Sequence, residues 1–370
     1  MIKPRIIVTG ATGKTGSVVV TELLKAGYPV RALVHREDGR SARLKAQGAE
    51  IAVADMSDVE RVANALKDVQ RVYYCPPIDP YMIQGAAAFA VAAKEARLEH
   101  IVGMTQWLAS PSHPSLMTRQ HWLVDRLFLA IPGVAHTIIK PGFFADDYLV
   151  TIGASAQLGI FPWMFGNSRN APPSNEDIAR VAVAALMDPA RHAGKSYRPT
   201  GPELLGAEDM AKAIGRAVGR SVKVVPTPAW LFMKAARMSG YPIDVFSGIR
   251  YYIEDHKRGA FEVGAPTTDV FDVTGRPEDF ETIARRYTAQ PRNQRTFGNW
   301  LREFVQFMLA PLGPGFDLDR YDRELRRPFP SVPQFATDSK VWRREHAIAD
   351  NFSPAALGHG KAPVAATSRG

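Results

Sequence analysis

The feature that most constrains this chain is a short apolar run followed at once by three regularly spaced glycines. The run covers Ile6–Thr9, and Gly10, Gly13 and Gly16 follow it before a helical pattern over residues 17–25. A strand, a tight glycine turn and a helix N-terminus together form a site for a nucleotide pyrophosphate. The glycines let the backbone approach the phosphates, and the helix dipole favours negative charge. An ordinary strand-turn-helix unit shows the same pattern, but glycines placed directly after a strand favour nucleotide binding.

We therefore predict that this turn binds a dinucleotide cofactor. The predicted contacts are Gly10, Thr12, Gly13, Lys14, Thr15 and Gly16. Gly13-Lys14-Thr15 also suggests a P-loop, but that motif needs a further glycine five residues before Gly13. Val8 occupies that position inside the predicted strand, so the loop is too short to wrap a nucleotide β-phosphate.

Strand and helix patterns alternate through the first 150 residues. The predicted strands are Arg5–Thr9, Pro29–Val34, Glu50–Val53, Arg71–Cys75, His100–Thr105 and Ala135–Lys140. The predicted helices lie near residues 15–26, 39–47, 58–67, 80–97 and 115–131. This alternation is typical of βαβ units, and it predicts an α/β fold with a Rossmann-type doubly wound parallel sheet. Functional residues should then follow the carboxyl ends of the strands.

The alternation weakens after residue 150. Gly159–Pro173 is predicted to be a loop over the site, and Asn175-Glu176-Asp177 are predicted to cap a helix that runs through Met187. Val222–Val225 is predicted to be an isolated strand, Pro277 to open a helix that reaches Tyr287, and Thr296–Leu309 to form an apolar-faced helix. We predict a Rossmann core over 1–150, a smaller substrate lobe interleaved with it over 151–276, a helical, Pro/Arg-rich C-terminal extension over 277–352 and a disordered tail over 353–370.

Composition narrows the class of protein. The formal net charge is +9, but the basic residues are interleaved with acids, which disfavours a nucleic-acid surface. One cysteine excludes a disulfide scaffold and a cysteine-based metal site, and we expect no metal. No apolar run reaches the roughly 18 residues of a membrane span, and no signal peptide precedes the first strand. These features predict a cytoplasmic protein without a membrane span.

The end of the second predicted strand bears on the choice between NADP(H) and NAD(H). An NAD site usually places a carboxylate there, whereas an NADP site places a basic residue near the 2′-phosphate. His35 and Arg36 follow this strand, and they favour NADP(H). Glu37 and Asp38 come next and leave NAD(H) open, and Arg36 is equally compatible with a solvated side chain.

Two later strand ends add candidate cofactor contacts. Asp55 and Met56 follow the third strand, where a carboxylate can accept a hydrogen bond from the adenine amino group. The alternative is that Asp55 only helps to start the helix near Asp58. Pro76 follows the fourth strand and would present a smooth wall to a ribose or nicotinamide.

Together these motifs resemble the NmrA-like branch of atypical short-chain dehydrogenases/reductases over roughly residues 1–290. The resemblance rests on the glycine turn, Val30–Val34, Asp55, His100–Val102 and Lys140–Phe144. It implies a Rossmann core, a small substrate lobe and binding of NADP(H) or NAD(H), with Pro141, Phe143, Thr105 and His121 as further cofactor contacts. The family includes reductases of quinones and similar acceptors, and also redox sensors that bind a dinucleotide without catalysis.

The chain departs from the wider superfamily at the Tyr-x-x-x-Lys pair that supplies a proton to the product. Met117 stands at the tyrosine position and His121 at the lysine position, with Thr105 where the family assists the carbonyl. Asp125 lies one helical turn after His121 and is expected to orient or charge its imidazole. His121 has three open roles: general acid together with Thr105, ribose contact, or packing.

The missing tyrosine favours acceptors whose reduced product needs no well-placed acid, such as a quinone, an iminium ion or an enone. A flat apolar substrate pocket is predicted from Met117, Phe144, Tyr148, Phe161 and Trp163, although such side chains also suit a core. We predict an NAD(P)H-dependent oxidoreductase, monomeric or homodimeric, acting on a small apolar substrate. The alternative is a non-catalytic dinucleotide sensor that acts through a protein partner.

Overall fold

The computed structural model describes residues 3–241, 243–315, 317–325 and 329–346. The strands within these residues are β1 (Ile6–Val8), β2 (Val30–Val34), β3 (Glu50–Val53), β4 (Arg71–Tyr74), β5 (His100–Met104), β6 (Ala135–Ile139), β7 (Ile160–Trp163), β8 (Ser196–Tyr197) and β9 (Lys223–Pro226). The predicted tail over 353–370 lies outside the described residues.

The helices within the same residues are α1 (Lys14–Lys25), α2 (Gly39–Ala46), α3 (Val59–Ala65), α4 (Met82–Glu95), α5 (Leu116–Leu129), α6 (Ala145–Tyr148), α7 (Ile152–Leu158), α8 (Asn175–Met187), α9 (Pro189–His192), α10 (Ala207–Val218), α11 (Ala229–Met238), α12 (Ile243–Lys257), α13 (Asp269–Thr274), α14 (Phe280–Thr288), α15 (Phe297–Leu309), α16 (Leu318–Glu324) and α17 (Lys340–Glu345).

Seven strands form one parallel sheet in the order β3-β2-β1-β4-β5-β6-β8. In its centre Ile6 of β1 pairs with Val30 of β2 on one side and with Arg71 of β4 on the other. Successive side chains of β1 enter different cores, since Ile6 packs with the helices α1 and α8 and Ile7 with α3, α4 and α5. The predicted Rossmann-type doubly wound sheet is therefore confirmed.

The chain after residue 150 differs from the sequence prediction in three places. Gly159–Pro173 is not a continuous loop, because β7 lies within it and pairs in parallel with β9. The strand predicted near Val222–Val225 is therefore not isolated: Val224 lies opposite Phe161. The helix expected to open at Pro277 begins at Phe280, because the carboxylate of Asp279 accepts the Thr282 N–H at 2.8 Å and sets the helix start there.

The C-terminal extension shares its core with the lobe. Trp342 is completely buried in the cluster that contains β7, α10 and α14, and its indole N–H donates to the Trp107 carbonyl at 2.9 Å. The N–H of Gln334 donates to the Ser112 carbonyl at 2.9 Å. These contacts attach residues 334–346 to the loop after β5, at the carboxyl edge of the sheet. The predicted boundary at 276 stays a prediction.

The glycine turn generates a stability prediction. A Cβ on Gly16 would lie 2.3 Å from the Gly10 carbonyl oxygen, which is a backbone atom and not a flexible side chain. Gly16→Ala should therefore lower the free energy of unfolding by about 1–3 kcal/mol, the usual cost of overpacking. Urea denaturation without added nucleotide measures this change.

Gly39→Ala is the matched control, because a Cβ there meets nothing within 4 Å. Its expected effect is neutral, or stabilising by about 0.4–1 kcal/mol because the unfolded chain loses freedom. Equal stabilities of the two variants would contradict the close approach of α1 to the turn.

Candidate dinucleotide and acceptor site

The glycine turn presents an open helix N-terminus at the surface. Gly10 has a φ of +59°, a left-handed conformation that favours glycine. Gly13 is the N-cap of α1 and offers no side-chain hydrogen bond, whereas α2, α3, α5 and α8 are each capped by the side chain of an Asp or Ser. The N–H groups of the first turn of α1 are thus free for an anionic ligand. Gly10, Gly13 and Lys14 are exposed, and Thr12 is half-buried.

A pyrophosphate fits this geometry. A Cβ on Gly13 would lie 3.1 Å from the Gly10 carbonyl oxygen and would occupy the concave side of the turn. Small residues are required where a phosphate approaches the backbone, and the positive end of the helix dipole favours its charge.

The side chains of Thr15 and Lys14, both predicted to contact the cofactor, form bonds within the protein. The Thr15 hydroxyl donates to Asn175 Oδ1 at 2.7 Å, and Asn175 Nδ2 donates to the buried carboxylate of Asp146 at 3.0 Å. Lys14 forms an ion pair with the same carboxylate. Burial is the largest single influence on the pKa of Lys14 and works to lower it, but the charge and hydrogen bond of Asp146, together with the charge of Asp147, outweigh burial and raise that pKa. This network joins α1 to α6 and α8, so it holds the turn in place.

The end of β2 leaves one of its basic side chains unpaired. The Asp38 carboxylate caps α2 and pairs with Arg40 at 2.7 Å, and these hydrogen bonds lower its pKa to about 2. Asp38 and Arg40 therefore satisfy each other. His35, Arg36 and Glu37 are exposed, and Arg36 makes no ion pair with any residue that the structure describes. Arg36 remains the candidate for a 2′-phosphate.

Asp55 makes a local turn in this structure. Its Oδ1 accepts the Ser57 N–H at 2.9 Å and the Ser57 hydroxyl at 2.7 Å, and these two bonds lower the pKa of Asp55. Asp58, and not Asp55, caps α3. Met56 is half-buried beside Gly85, and Pro76 is buried after β4. The adenine and ribose contacts predicted for these residues stay predictions.

The ends of β5 and β6 hold a buried group of charges. Asp125 lies 3.8 Å from the Lys140 ammonium, which also pairs with Glu345 at 2.8 Å. Burial raises the pKa of Asp125 to about 7 against the opposing effect of Lys140. The Thr105 hydroxyl is buried and makes no hydrogen bond of normal geometry within the described residues. Asp125 therefore interacts with Lys140, and the expected pairing with His121 is wrong.

His121 belongs to a different polar cluster, with Gln106, Thr118 and Tyr252. Its Nδ1 lies 2.9 Å from Gln106 Nε2 and 2.8 Å from the Met117 carbonyl oxygen one helical turn back. Gln106 Oε1 accepts the Tyr252 hydroxyl, and the Thr118 hydroxyl donates to it at 3.4 Å. Burial lowers the pKa of His121 to about 4, so the imidazole is neutral at pH 7.

Sequence reasoning missed Gln106 and Tyr252. Gln106 directly follows Thr105 at the end of β5, where functional residues of this fold are expected, so its position is a usable signal. Tyr252 lies on α12, 146 positions from Gln106, and nothing near it in the chain marks it. Burial raises the pKa of Tyr252, which keeps its phenol protonated.

Met117 lines a recess at the carboxyl edge of the sheet. The other side chains around it come from the loop after β4, the start of α5 and the middle of α12: Ile78, Pro80, Ser115, Gln120, Ser247 and Gly248. The Met117 Cε lies 3.1 Å from the position that a Cβ on Gly248 would take. The substrate-side position of Met117 stays a prediction.

The structure places the predicted aromatic residues inside the protein. Phe161 and Trp163 are 1% and 5% exposed, and Trp163 stacks on Tyr148 with ring centroids 5.7 Å apart. Phe143 meets Tyr148 edge-on at 5.1 Å, and Phe144 packs against the Rossmann core. Phe161 and Trp163 fill the core of the lobe because β7 turns them inward, so they offer almost no surface to a substrate. Pro141 is buried, and its carbonyl oxygen accepts the Trp107 N–H at 3.0 Å.

The described residues form neither a metal-binding cluster nor a membrane-spanning helix. Residues 3–241, 243–315, 317–325 and 329–346 hold no group of three or more His, Cys, Asp and Glu side chains that could bind a metal ion. In the same part of the chain, no helix is long and apolar enough to cross a membrane.

Comparison with known proteins identifies the class. A family model described as NAD(P)H-binding matches residues 10–189, from the glycine turn through α8. NAD(P)H azoreductase of Xenophilus azovorans is 35% identical over 221 residues, which are 60% of this chain and 76% of that protein. The chain belongs to the NmrA-like family of atypical short-chain dehydrogenases/reductases. It is an NAD(P)H-dependent oxidoreductase.

Solved structures share this fold. An NADPH-dependent quinone oxidoreductase from Escherichia coli, complexed with NADPH, matches with a TM-score of 0.65 at 21% identity, covering 76% of this chain and 99% of that one. NmrA, a negative transcriptional regulator in complex with NAD, matches with a TM-score of 0.64 at 17% identity, covering 77% of this chain and 95% of that one.

The exposed Arg36 generates a prediction on cofactor choice. Arg36→Ala should weaken the binding of NADPH about tenfold to a hundredfold and leave that of NADH nearly unchanged. Only NADPH carries the 2′-phosphate, and a charge-assisted hydrogen bond contributes about 1.5–3 kcal/mol. Calorimetric titration of each cofactor measures this difference, and equal losses for the two would rule out a 2′-phosphate contact.

The buried histidines generate a prediction on pH. Burial lowers the pKa of His100 and His121 to about 4 and that of His256 to about 3, from 6.5. Between these values the unfolded chain binds more protons than the folded one. Stability is therefore lost as the pH falls below about 6.5, by up to about 1.4 kcal/mol per pH unit for each histidine. The pKa of Asp125 is raised to about 7, so the folded chain binds a proton there that the unfolded chain lacks. This group adds stability as the pH falls below about 7, and it offsets part of the loss caused by the histidines.

Urea denaturation at about pH 7 and about pH 5 measures the slope. His256 lies among the rings of Phe143, Phe165 and Phe261, so a phenylalanine ring fits there, although it gives up the contacts of the two imidazole nitrogens with Ser168 and Tyr148. His256→Phe should make the slope shallower whatever the loss of overall stability. An unchanged slope in this variant would contradict a neutral buried His256.

Proposed function

We propose that the chain transfers hydride from NADPH to a conjugated apolar acceptor, such as a quinone, an iminium ion or an enone, without a tyrosine-lysine proton donor. One observation carries this proposal. The sequence assigns Met117 and His121 to the positions of that pair; Met117 lines the recess near the end of β5, and His121 is buried and neutral. A methionine has no proton to give, and an imidazole with a pKa of about 4 carries none to spare at pH 7.

Three parts of the chain would hold the cofactor. The open N-terminus of α1 would bind the pyrophosphate, Arg36 the 2′-phosphate and the Asp55 turn the adenine. The reduced nicotinamide supplies the hydride when bound. The buried Thr105 hydroxyl interacts with the Asp125 carboxylate, and it would have to leave that carboxylate to hydrogen-bond to cofactor or acceptor.

His121 fits a positioning role better than an acid role. Its Nδ1 lies within hydrogen-bond distance of both Gln106 Nε2 and the Met117 carbonyl oxygen, and it bonds to one of them according to the tautomer, so either tautomer holds the ring in place. A ring held in this way can orient a ribose. The Tyr252 phenol donates to Gln106 and thereby fixes the amide that contacts His121.

Without a tyrosine-lysine proton donor, the site suits hydride acceptors whose reduced product needs no positioned acid. Hydride addition to a simple ketone creates an alkoxide that needs a proton at once, so it depends on a positioned acid. Hydride addition to an iminium ion yields a neutral amine. A reduced quinone delocalises its charge and takes its proton from water. The azo and quinone substrates in the names of the relatives support this range of acceptors.

A non-catalytic redox sensor is the second candidate function. The structural likeness to NmrA, a negative transcriptional regulator, favours it, as does the absence of the tyrosine. Such a sensor would act through a protein partner. A monomer or homodimer in the cytoplasm remains our proposal for either function.

Steady-state oxidation of NADPH tests the proposal. Quinones, iminium dyes and enones should be turned over, and simple ketones should not. Oxidation with none of these acceptors, in a protein that binds NADPH in calorimetry, would favour the sensor.

Two variants test the absence of an acid in the same assay. His121→Gln should raise the KM for NADPH and leave kcat and its pH profile unchanged, and Tyr252→Phe should leave kcat within a few-fold of the unchanged protein. A positioned acid contributes about 10²–10⁴-fold. A pH-linked fall of that size in either variant would identify that residue as a proton donor and reopen ketone reduction.

A further inference from the structure

Two helices beyond the Rossmann core expose apolar side chains. No described residue of α11 or α15 is fully buried. The most exposed large side chains are Phe297 (78%), Phe307 (51%), Met308 (57%) and Trp230 (54%), and Leu312 just after α15 is 80% exposed. We call this surface the apolar helix pair. Isolated exposed apolar residues are ordinary, but such a concentration marks an interaction surface.

The charges around the apolar helix pair are almost all positive. Residues 229–241 and 291–312 contain five basic side chains and one acid: Lys234, Arg237, Arg292, Arg295, Arg302 and Glu303. The acid is turned inward, since the Glu303 side chain is 17% exposed, pairs with Arg302 and lies against Gly153 of α7. The exposed face therefore combines aromatic rings with a basic border.

The aromatic rings and the basic border together distinguish between two occupants of this surface, a second copy of the chain and an anionic lipid surface. In a symmetric dimer the same patch faces itself, so the basic border of one copy would meet that of the other with no acid to neutralise it. An anionic lipid surface offers the complement, because apolar rings enter the headgroup boundary while Lys and Arg bind the phosphates. We propose that the apolar helix pair docks the protein on an anionic membrane surface.

The dimensions require docking in the plane of the membrane. α15 has 13 residues and α11 has 10, both shorter than the roughly 20 that span a bilayer. Lys234 extends over the Trp230 ring, with its ammonium 5.4 Å from the ring centroid, and donates to the Pro311 carbonyl at 3.0 Å. Its charged end thus lies beside the aromatic surface, as a lipid headgroup contact requires. This proposal does not depend on the acceptor.

Sedimentation of the full chain with vesicles tests the proposal. Vesicles of phosphatidylcholine mixed with phosphatidylglycerol should bind the protein, vesicles of phosphatidylcholine alone should bind it much less, and salt should weaken the binding. Phe307→Glu should reduce the partition coefficient about tenfold or more, because the apolar ring is lost from the headgroup boundary and a negative charge takes its place. Arg295→Glu should reduce binding to the anionic vesicles only.

Phe271→Glu is the matched control. Phe271 is 64% exposed on α13, which lies outside the apolar helix pair, and its loss should not change binding. Calorimetric binding of NADPH shows that each variant is folded. No binding to anionic vesicles, or equal losses in the Phe307 and Phe271 variants, would overturn the proposal. Light scattering that shows a dimer which Phe307→Glu converts to a monomer would instead assign the surface to a second copy.

Discussion

The close approach of α1 to the glycine turn is the constraint on which the rest of the site depends. Gly16 lies so near the Gly10 carbonyl that a single methyl group would collide with it. This contact aims the start of α1 at the carboxyl edge of the sheet and leaves its first N–H groups without a cap. An uncapped helix start costs stability that a bound phosphate restores. Packing of α1 against α8 brings Asn175 to Thr15 and completes the support of the turn.

Burial sets the chemistry on the other side of the cofactor site. The cluster around Gln106 joins hydrogen-bonding groups from the loop after β5, from α5 and from α12. The same exclusion of water that strengthens these bonds keeps His121 neutral and Tyr252 protonated. The site thus orients groups without offering an imidazolium at neutral pH. Hydride acceptors that need no positioned acid suit it.

Sequence patterns predicted the Rossmann core closely. The six predicted strands recur in the structure, each shorter by no more than two residues. The helix predicted to run through Met187 ends there, although Ser174 and not Asn175-Glu176-Asp177 caps it. Elsewhere the outcome depended on contacts between distant segments. β7 is a strand because β9 pairs with it. The helical spacing allowed Asp125 to contact His121, but Asp125 contacts Lys140, whose ammonium lies within the core.

The sequence by itself determined the glycine turn, the order of the core elements and the class of cofactor, because these follow from local backbone sterics and from the periodicities of strands and helices. The tertiary structure decided the partners of the buried polar groups. Tyr252 meets Gln106 across 146 positions, and Trp342 meets Trp107 across 235. Such contacts exist only after the lobe and the C-terminal segment pack on the core, and a linear pattern cannot specify which polar atoms then share one water-free space.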